Sequence, residues 1–133
     1  MAGCREPSPF RLDKFEPETP YARDEEITYG RVQISKTFTG DLEAKSEVAM
    51  LALNAEPEGA GYVALERIEG SLKGRQGTFA LLHMGTMTRG TPWAKWPIVP
   101  GSGTGALKGI SGEARIEISD EGAHTLFLDY DLP

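Results

Sequence analysis

An alternation of apolar and polar residues with a period of two runs through most of the chain after residue 26. In Ile27–Phe38, Val32, Ile34 and Lys36 share one face and polar residues share the other. Side chains alternate between the two faces of a β-strand, so this pattern predicts a strand. Similar runs follow, each bounded by turn residues: Leu42–Leu53, Tyr62–Glu69, Thr78–Thr88, Trp93–Val99, Glu113–Ser119 and His124–Leu132. With a short strand at Phe10–Phe15, we expect about eight strands.

Only Leu42–Leu53 has a pattern that a helix could also use. Its apolar residues form a poor helical stripe, and the preceding "TGD" is a good hairpin signal. We therefore predict a strand here as well, and an all-β chain.

The strands predict a single eight-stranded antiparallel barrel, or a flattened sandwich, because closure removes exposed strand edges. We expect residues 1–26 to be an extended N-terminal lead-in and residues 27–133 to be the barrel domain. The strand Thr78–Thr88 is apolar on both faces. Its outer side should therefore be covered by the lead-in or by another subunit, which would make the protein a homo-oligomer.

The charge balance excludes some classes of partner. The chain has 133 residues, with 14 basic and 20 acidic side chains and a net charge of −6. Nucleic acids and anionic membranes need a basic face, so we expect neither as a partner. A single cysteine, Cys4, excludes an internal disulfide and a cysteine-based zinc site. No signal peptide or transmembrane run is recognisable, so we expect a cytoplasmic protein.

The phrase Gly-x-Leu-Lys-Gly-x-x-Gly occurs twice, at residues 70–77 and 105–112. A phosphate-binding loop would lead into a helix, whereas both copies lead into predicted strands. We interpret both as turns whose leucine closes one end of the barrel. The chemistry should then lie where the copies differ. Glu66 corresponds to Gly101 in the second copy, and His83 corresponds to Ile118.

Glu66 and His83 each interrupt an apolar row of a predicted strand. The Glu66 carboxylate would face solvent, pair with a base such as Arg75, or be buried with a raised pKa and exchange protons. His83 would be a hydrogen-bonded core residue or a catalytic group. A hairpin turning near Lys73 would place Glu66 opposite about residue 80, with His83 about three residues further on. An acid–base pair is then possible, whereas a bulge would separate the two side chains.

Aromatic residues could line a cavity inside the barrel. We select four candidate ligand-binding residues, although aromatic side chains in barrels commonly pack the core: Phe38, Tyr62, Trp96 and Tyr130. Two histidines without a fixed acid spacing are too few to predict a metal site, and we expect no metal and no other cofactor.

Three stretches resemble a bacterial domain-of-unknown-function family, DUF3224: "KTFTGDLEAKS", "ALERIEGSLKGRQGTFALLHMG" and "VPGSGTGALKGISGEARI" with "LDYDL". The resemblance covers roughly Phe10 to Asp131 and implies a small barrel of the allene oxide cyclase-like type. Barrels of this shape elsewhere include cyclases and isomerases, an analogy at the level of fold.

From these observations we expect a cofactor-independent isomerase or cyclase acting on a small hydrophobic substrate in the barrel lumen. In this hypothesis Glu66 moves a proton, and His83 polarises an oxygen or relays the proton. The alternatives are a module that binds a small apolar molecule without chemistry, and an oligomerising structural protein whose lumen is filled with side chains.

Overall fold

The chain forms nine β-strands and one turn of 3₁₀ helix. The computed structural model describes residues 4–133, with side chains from residue 7 onwards. The strands are β1 (Cys4–Pro17), β2 (Ala22–Asp24), β3 (Ile27–Phe38), β4 (Leu42–Ala55), β5 (Gly59–Leu72), β6 (Arg75–Thr88), β7 (Thr91–Pro97), β8 (Ser111–Ile118) and β9 (His124–Asp131). The 3₁₀ turn is Gly105–Leu107, between β7 and β8. The predicted all-β class is confirmed, and so is the strand predicted at Leu42–Leu53.

Eight of the strands form one antiparallel sheet that closes into a ring. From β3 to β9, consecutive strands pair along the chain. The first strand closes the ring because Cys4–Phe10 pairs with β9 and Phe10–Pro17 pairs with β3. The short strand β2 adds to β3 beyond the end of β1. No helix within residues 4–133 has both the length and the apolar character needed to cross a membrane.

The N-terminal segment contributes a full strand to the ring. We expected residues 1–26 to be a lead-in lying against a barrel formed by residues 27–133, but β1 is a member of the ring itself. It therefore does not cover the outer side of the sheet as we had suggested. On the outer face of β6, the strand for which we predicted cover, Ala80, Leu82 and Met84 are half-buried. On the outer face of β4 and β5, Leu51, Val63 and Leu65 are 45%, 45% and 57% exposed. Cover by another subunit stays a prediction.

The two glycine-rich copies share residues but differ in conformation. In the first copy, Leu72 pairs with Arg75, and Lys73 and Gly74 both have positive φ angles (48° and 82°). These are the properties of a tight two-residue hairpin turn. In the second copy, Gly105–Leu107 forms the 3₁₀ turn instead. The leucines Leu72 and Leu107 are 1% and 0% exposed and belong to the core, as predicted.

The two copies also pack against each other. The Thr104 amide, just before the second copy, donates a hydrogen bond of 2.9 Å to the Thr78 carbonyl, just after the first. A Cβ atom at Gly77 would lie only 2.1 Å from the Thr104 carbonyl oxygen. Glycine is therefore required at this position, because any side chain would separate the two segments.

The interior of the ring contains two apolar clusters, which we call the packed half and the open half. The packed half consists of Phe10, Phe38, Leu42, Ala44, Ile68, Leu72, Phe79, Leu81, Ile98, Leu107, Ile110, Ala114, Leu126, Leu128 and Tyr130. The open half consists of Val32, Ile34, Val48 and Ala64, with Met50 packed against them.

Strand pairing is incomplete around the open half. The strands β7 and β8 share only the pairs Trp96–Ala114 and Pro97–Glu113. On the interior face, Ile118 at the end of β8 is 64% exposed. The ring therefore opens to solvent at this end, which we call the mouth.

Candidate functional site

A layer of polar side chains separates the two apolar clusters. It consists of Lys36, Ser46, Glu66 and His83, one from each of the strands β3 to β6. All four are buried, with exposures between 0% and 6%. Each alternates with the apolar residues of its strand, which places it on the interior face. Among the described residues, Ser8 is the other buried polar side chain, and its hydroxyl oxygen accepts a hydrogen bond from the Leu42 amide. The four polar residues of the layer form the candidate site.

The register of the β5–β6 hairpin brings Glu66 and His83 together. Glu66 pairs with Leu81, and His83 pairs with Ala64, which is two residues from Glu66 on the same strand. We had expected Glu66 opposite about residue 80 and His83 three residues further on. The turn at Lys73–Gly74 moves the register by one residue, and there is no bulge in this hairpin. An offset of two keeps both side chains on one face.

The Glu66 carboxylate contacts three neighbouring side chains. Its Oε1 lies 3.2 Å from Nζ of Lys36 and 2.7 Å from Nε2 of His83. The hydroxyl of Ser46 donates to Oε2 at 2.5 Å. Of the three environments considered for Glu66, the structure shows pairing with a base. That base is Lys36 rather than Arg75, which is exposed at the hairpin turn.

The pKa of Glu66 lies below its usual value. Burial alone would raise the pKa of this carboxyl group. The hydrogen bond to His83, the positive charge of Lys36 and the Ser46 hydroxyl oppose burial and together outweigh it. Glu66 is therefore an ionised carboxylate at neutral pH. An ionised carboxylate can orient its partners, but it has no proton to donate.

His83 has one nitrogen engaged by Glu66 and one without a partner. Since Glu66 is ionised, the hydrogen in their bond belongs to Nε2, which donates to the carboxylate. Among residues 4–133, Nδ1 has no hydrogen-bond partner, yet it is not a fully buried atom. In the neutral imidazole Nδ1 carries a lone pair, so it could accept a proton from a molecule that reached it.

Lys36 and Ser46 were not among the residues selected from the sequence. Lys36 also places its ammonium group 4.7 Å from the centre of the Phe10 ring, a cation–π contact. The signal was present for both residues. Lys36 shares the apolar face of Val32 and Ile34, and Ser46 occupies the equivalent row of β4. A charged residue in such a row indicates a buried partner.

A cavity of about 670 Å³ opens at the mouth of the ring. Its lining is mainly apolar, with Met50 and Ala52 of β4 and Met87 of β6 among the interior residues. Two of the predicted ligand-binding residues, Tyr62 and Trp96, line it. The other two, Phe38 and Tyr130, lie in the apolar cluster of the packed half and are 2% and 6% exposed. The structure thus divides the four aromatic candidates into two pairs.

The position of the Tyr62 ring depends on a glycine. Tyr62 pairs with Gly85 across the β5–β6 ladder, and a Cβ atom at Gly85 would lie 2.6 Å from the ring. The ring therefore lies flat over the glycine backbone. Burial raises the pKa of the Tyr62 phenol, and the neighbouring Trp96 indole offsets part of the rise. The phenol is held in its neutral form, which can donate a hydrogen bond.

Trp96 has a buried polar atom without a partner. Its Nε1 is fully covered and makes no hydrogen bond with any residue in the described part of the chain. Leaving a buried donor unpaired costs free energy, on the order of 1–3 kcal/mol. A ligand with a hydrogen-bond acceptor would remove this cost if it reached the indole.

The described residues contain no group of three or more histidine, cysteine, aspartate or glutamate side chains that could hold a metal ion. The second histidine, His124, packs its ring against Phe10, with 5.2 Å between ring centres. Lys36 contacts the same Phe10 ring, but no hydrogen bond joins His124 to the four residues of the polar layer.

Comparison with known proteins gives a family and a close structural relative. The profile of the DUF3224 family, described as a protein of unknown function, matches residues 7–130. The crystal structure of a protein of unknown function from this family, from Shewanella oneidensis MR-1, is similar to this chain, and the two sequences are 38% identical. The two structures superpose with a TM-score of 0.90 over 98% of each chain. No protein with a curated description matches. The resemblance noted in the sequence is confirmed, and the chain belongs to the DUF3224 family.

Proposed function

We propose that this chain binds a small hydrophobic molecule in the mouth of its ring. The observation that carries the proposal is the cavity of about 670 Å³, which lies in the size range typical of small-molecule sites, ~300–1,000 Å³. Its lining combines apolar side chains with a few hydrogen-bonding groups, among them those of Tyr62 and Trp96. An apolar cavity with a few placed polar groups is the usual composition of such sites.

Binding of a neutral apolar dye tests this proposal. Nile red gains fluorescence in an apolar site, so titration with the protein gives an affinity. Ala52 lines the cavity, and replacing it by phenylalanine fills the space. We expect Ala52→Phe to weaken dye binding at least roughly ten-fold, on the scale of a buried ring displaced from an apolar site.

A matched control separates the cavity from the exposed outer face. Leu51 is adjacent to Ala52 in the strand but points outwards, where it is 45% exposed. Leu51→Phe should leave the affinity unchanged. If Ala52→Phe binds the dye as well as the unmodified protein does, or if only Leu51→Phe changes the affinity, the mouth cavity is not the binding site.

A second candidate function is proton-transfer catalysis on the bound molecule, as in an isomerase or cyclase. The bond of 2.7 Å between Glu66 and His83 favours it, because an acid that orients a histidine is a recurring arrangement for a general base. The roles differ from those expected from the sequence. The lowered pKa of Glu66 makes it the positioning residue, and Nδ1 of His83 is the group that would accept a proton.

Hydrogen exchange at a bound ketone tests this second candidate. In D₂O, abstraction of an α-proton by Nδ1 breaks a C–H bond and forms an enolate, and return of deuterium to carbon labels the ketone. We expect the protein to accelerate labelling of 2-acetonaphthone and His83→Asn to remove the acceleration, measured by mass spectrometry. A general base contributes roughly 10²–10⁴-fold. Equal labelling rates for the two proteins would exclude this catalytic role and leave binding as the function.

A further inference from the structure

We infer that the mouth cavity selects neutral hydrophobic molecules that carry one hydrogen-bond-accepting oxygen, such as a ketone or an ether, and that the Tyr62 hydroxyl donates to this oxygen. The inference rests on the proposed binding function and adds the chemical class of the ligand. Three observations carry it: the fixed position of Tyr62, the neighbouring indole of Trp96, and the charges of the cavity lining.

The Tyr62 ring is held in place before any ligand arrives. Gly85 lies directly across the ladder, and its missing side chain leaves the space that the ring occupies. The Trp93 carbonyl oxygen lies on the same side of Gly85, 3.1 Å from the position of its absent Cβ, so the space cannot enlarge in that direction. A ring fixed in this way loses little further freedom on binding, which favours affinity.

The Trp96 indole leaves the Tyr62 hydroxyl hydrogen available to a ligand. The N–H group of Trp96 is buried, and it makes no hydrogen bond in the described part of the chain. An indole N–H can only donate, so it cannot accept the hydrogen of the Tyr62 hydroxyl. Tyr62 lines the mouth cavity, and a ligand oxygen there would receive the hydrogen.

The charges of the lining exclude an anionic ligand. Glu56, which directly follows the last residue of β4, is the one charged residue among those that line the cavity. There is no lysine or arginine in this lining to pair with a carboxylate, and the chain as a whole carries a net charge of −6. A carboxylate buried without a partner is costly. The ligand oxygen is therefore an uncharged acceptor.

Three probes of similar shape separate these requirements. 2-Acetonaphthone has a ketone oxygen, 2-ethylnaphthalene has none, and 2-naphthoate is an anion. Their affinities can be compared by competition with Nile red. We expect the ketone to bind roughly five-fold more tightly than the hydrocarbon, the gain typical of one hydrogen bond. We expect the anion to bind most weakly of the three.

The variant Tyr62→Phe should abolish the preference for the ketone and leave the affinity of the hydrocarbon unchanged. Tyr29→Phe is the matched control, since Tyr29 lies on the outer face of β3 and does not line the mouth cavity. This control should keep the preference, and thermal denaturation verifies that both variants fold.

The outcomes distinguish the inference from the function on which it rests. If none of the three probes competes with the dye in the mouth cavity, the proposed binding function fails. If the ketone and the hydrocarbon bind equally, or if Tyr62→Phe retains the preference, binding stands and the selection by Tyr62 is wrong. If the anion binds best, the assignment of a neutral ligand is wrong.

Discussion

The two halves of the ring interior differ in how completely they are filled. In the packed half, eleven side chains of the cluster are only 0–3% exposed. They include both leucines of the repeated phrase, Leu72 and Leu107. In the open half, four small or branched residues make a thin cluster, and a cavity of about 670 Å³ lies beyond them. The same sheet thus encloses a solid core at one end and an open space at the other. Stability comes mainly from the first, and space for a ligand from the second.

The polar layer lies at the boundary between the two halves. A charged side chain within the packed half would have no partner, whereas one in the mouth would be solvated and weakly held. At the boundary, Glu66 is fully buried, yet each of its oxygens has a partner.

The largest effect should come from breaking the polar layer. In Glu66→Gln the negative charge is lost, and the ammonium group of Lys36 remains buried beside Phe10 without its counter-ion. Removing one partner of a buried pair costs about 3–5 kcal/mol. We expect this loss in the free energy of unfolding, measured with urea.

The double variant Lys36→Met, Glu66→Gln supplies the control for that prediction. Removing both charges leaves no uncompensated ion, so the double variant should recover part of the lost stability. If Glu66→Gln alone is as stable as the unmodified protein, the pair is not a buried ion pair and the boundary between the halves has no electrostatic role.

A slightly smaller loss should come from the packed half. Leu107 is fully buried at the 3₁₀ turn between β7 and β8. Truncating a leucine in such a position removes apolar contacts and leaves a void, so Leu107→Ala should cost about 2–5 kcal/mol in urea denaturation. A cost below about 1 kcal/mol would mean that this end is loosely filled, and the contrast between the halves would fail.

The contribution of Glu66 should depend on pH in a defined direction. The pKa of Glu66 is lower in the folded protein than its ordinary value of 4.5. A group of this kind stabilises the fold fully above pH 4.5, and the stabilisation is lost as the pH falls through the folded-state pKa. The melting temperature of the unmodified protein should therefore fall towards that of Glu66→Gln as the pH falls below that value. A constant difference down to pH 2 would contradict the assignment.

The fold could be predicted from the sequence because its signals are local. The period-two pattern of Ile27–Phe38 and its successors is set by which face of each strand is buried, and short turns connect neighbouring strands. The role of β1 could not be predicted in the same way. Its prolines and charges weaken the pattern, and its partners β3 and β9 include a strand at the far end of the sequence.

The site could be predicted only in part, because the sequence indicates the register within one hairpin but not the contacts between strands further apart. Glu66 and His83 belong to one hairpin, so a turn near Lys73 nearly fixes their separation. Lys36 contacts Glu66 from two strands away, and that contact depends on the tilt of strands within the closed ring. The presence of Tyr62 and Trp96 in one cavity lining, and the burial of Phe38 and Tyr130, likewise depend on the position of each residue along the ring axis.

The smallest effects on stability should come from the two most exposed large apolar residues. Ile118, on the interior face at the mouth, is 64% exposed, and Leu65, on the outer face of β5, is 57% exposed. Replacing either by glutamine should change the free energy of unfolding by no more than about 0.5 kcal/mol in dilute protein.

The variants should differ in assembly, because a second copy covering the outer face would lose an apolar contact only in Leu65→Gln. Light scattering after gel filtration should then show a lower mass for Leu65→Gln than for Ile118→Gln at the same concentration. If the unmodified protein and both variants have the mass of one chain, no second copy covers this face, and the exposed row on β4 and β5 is tolerated in the monomer.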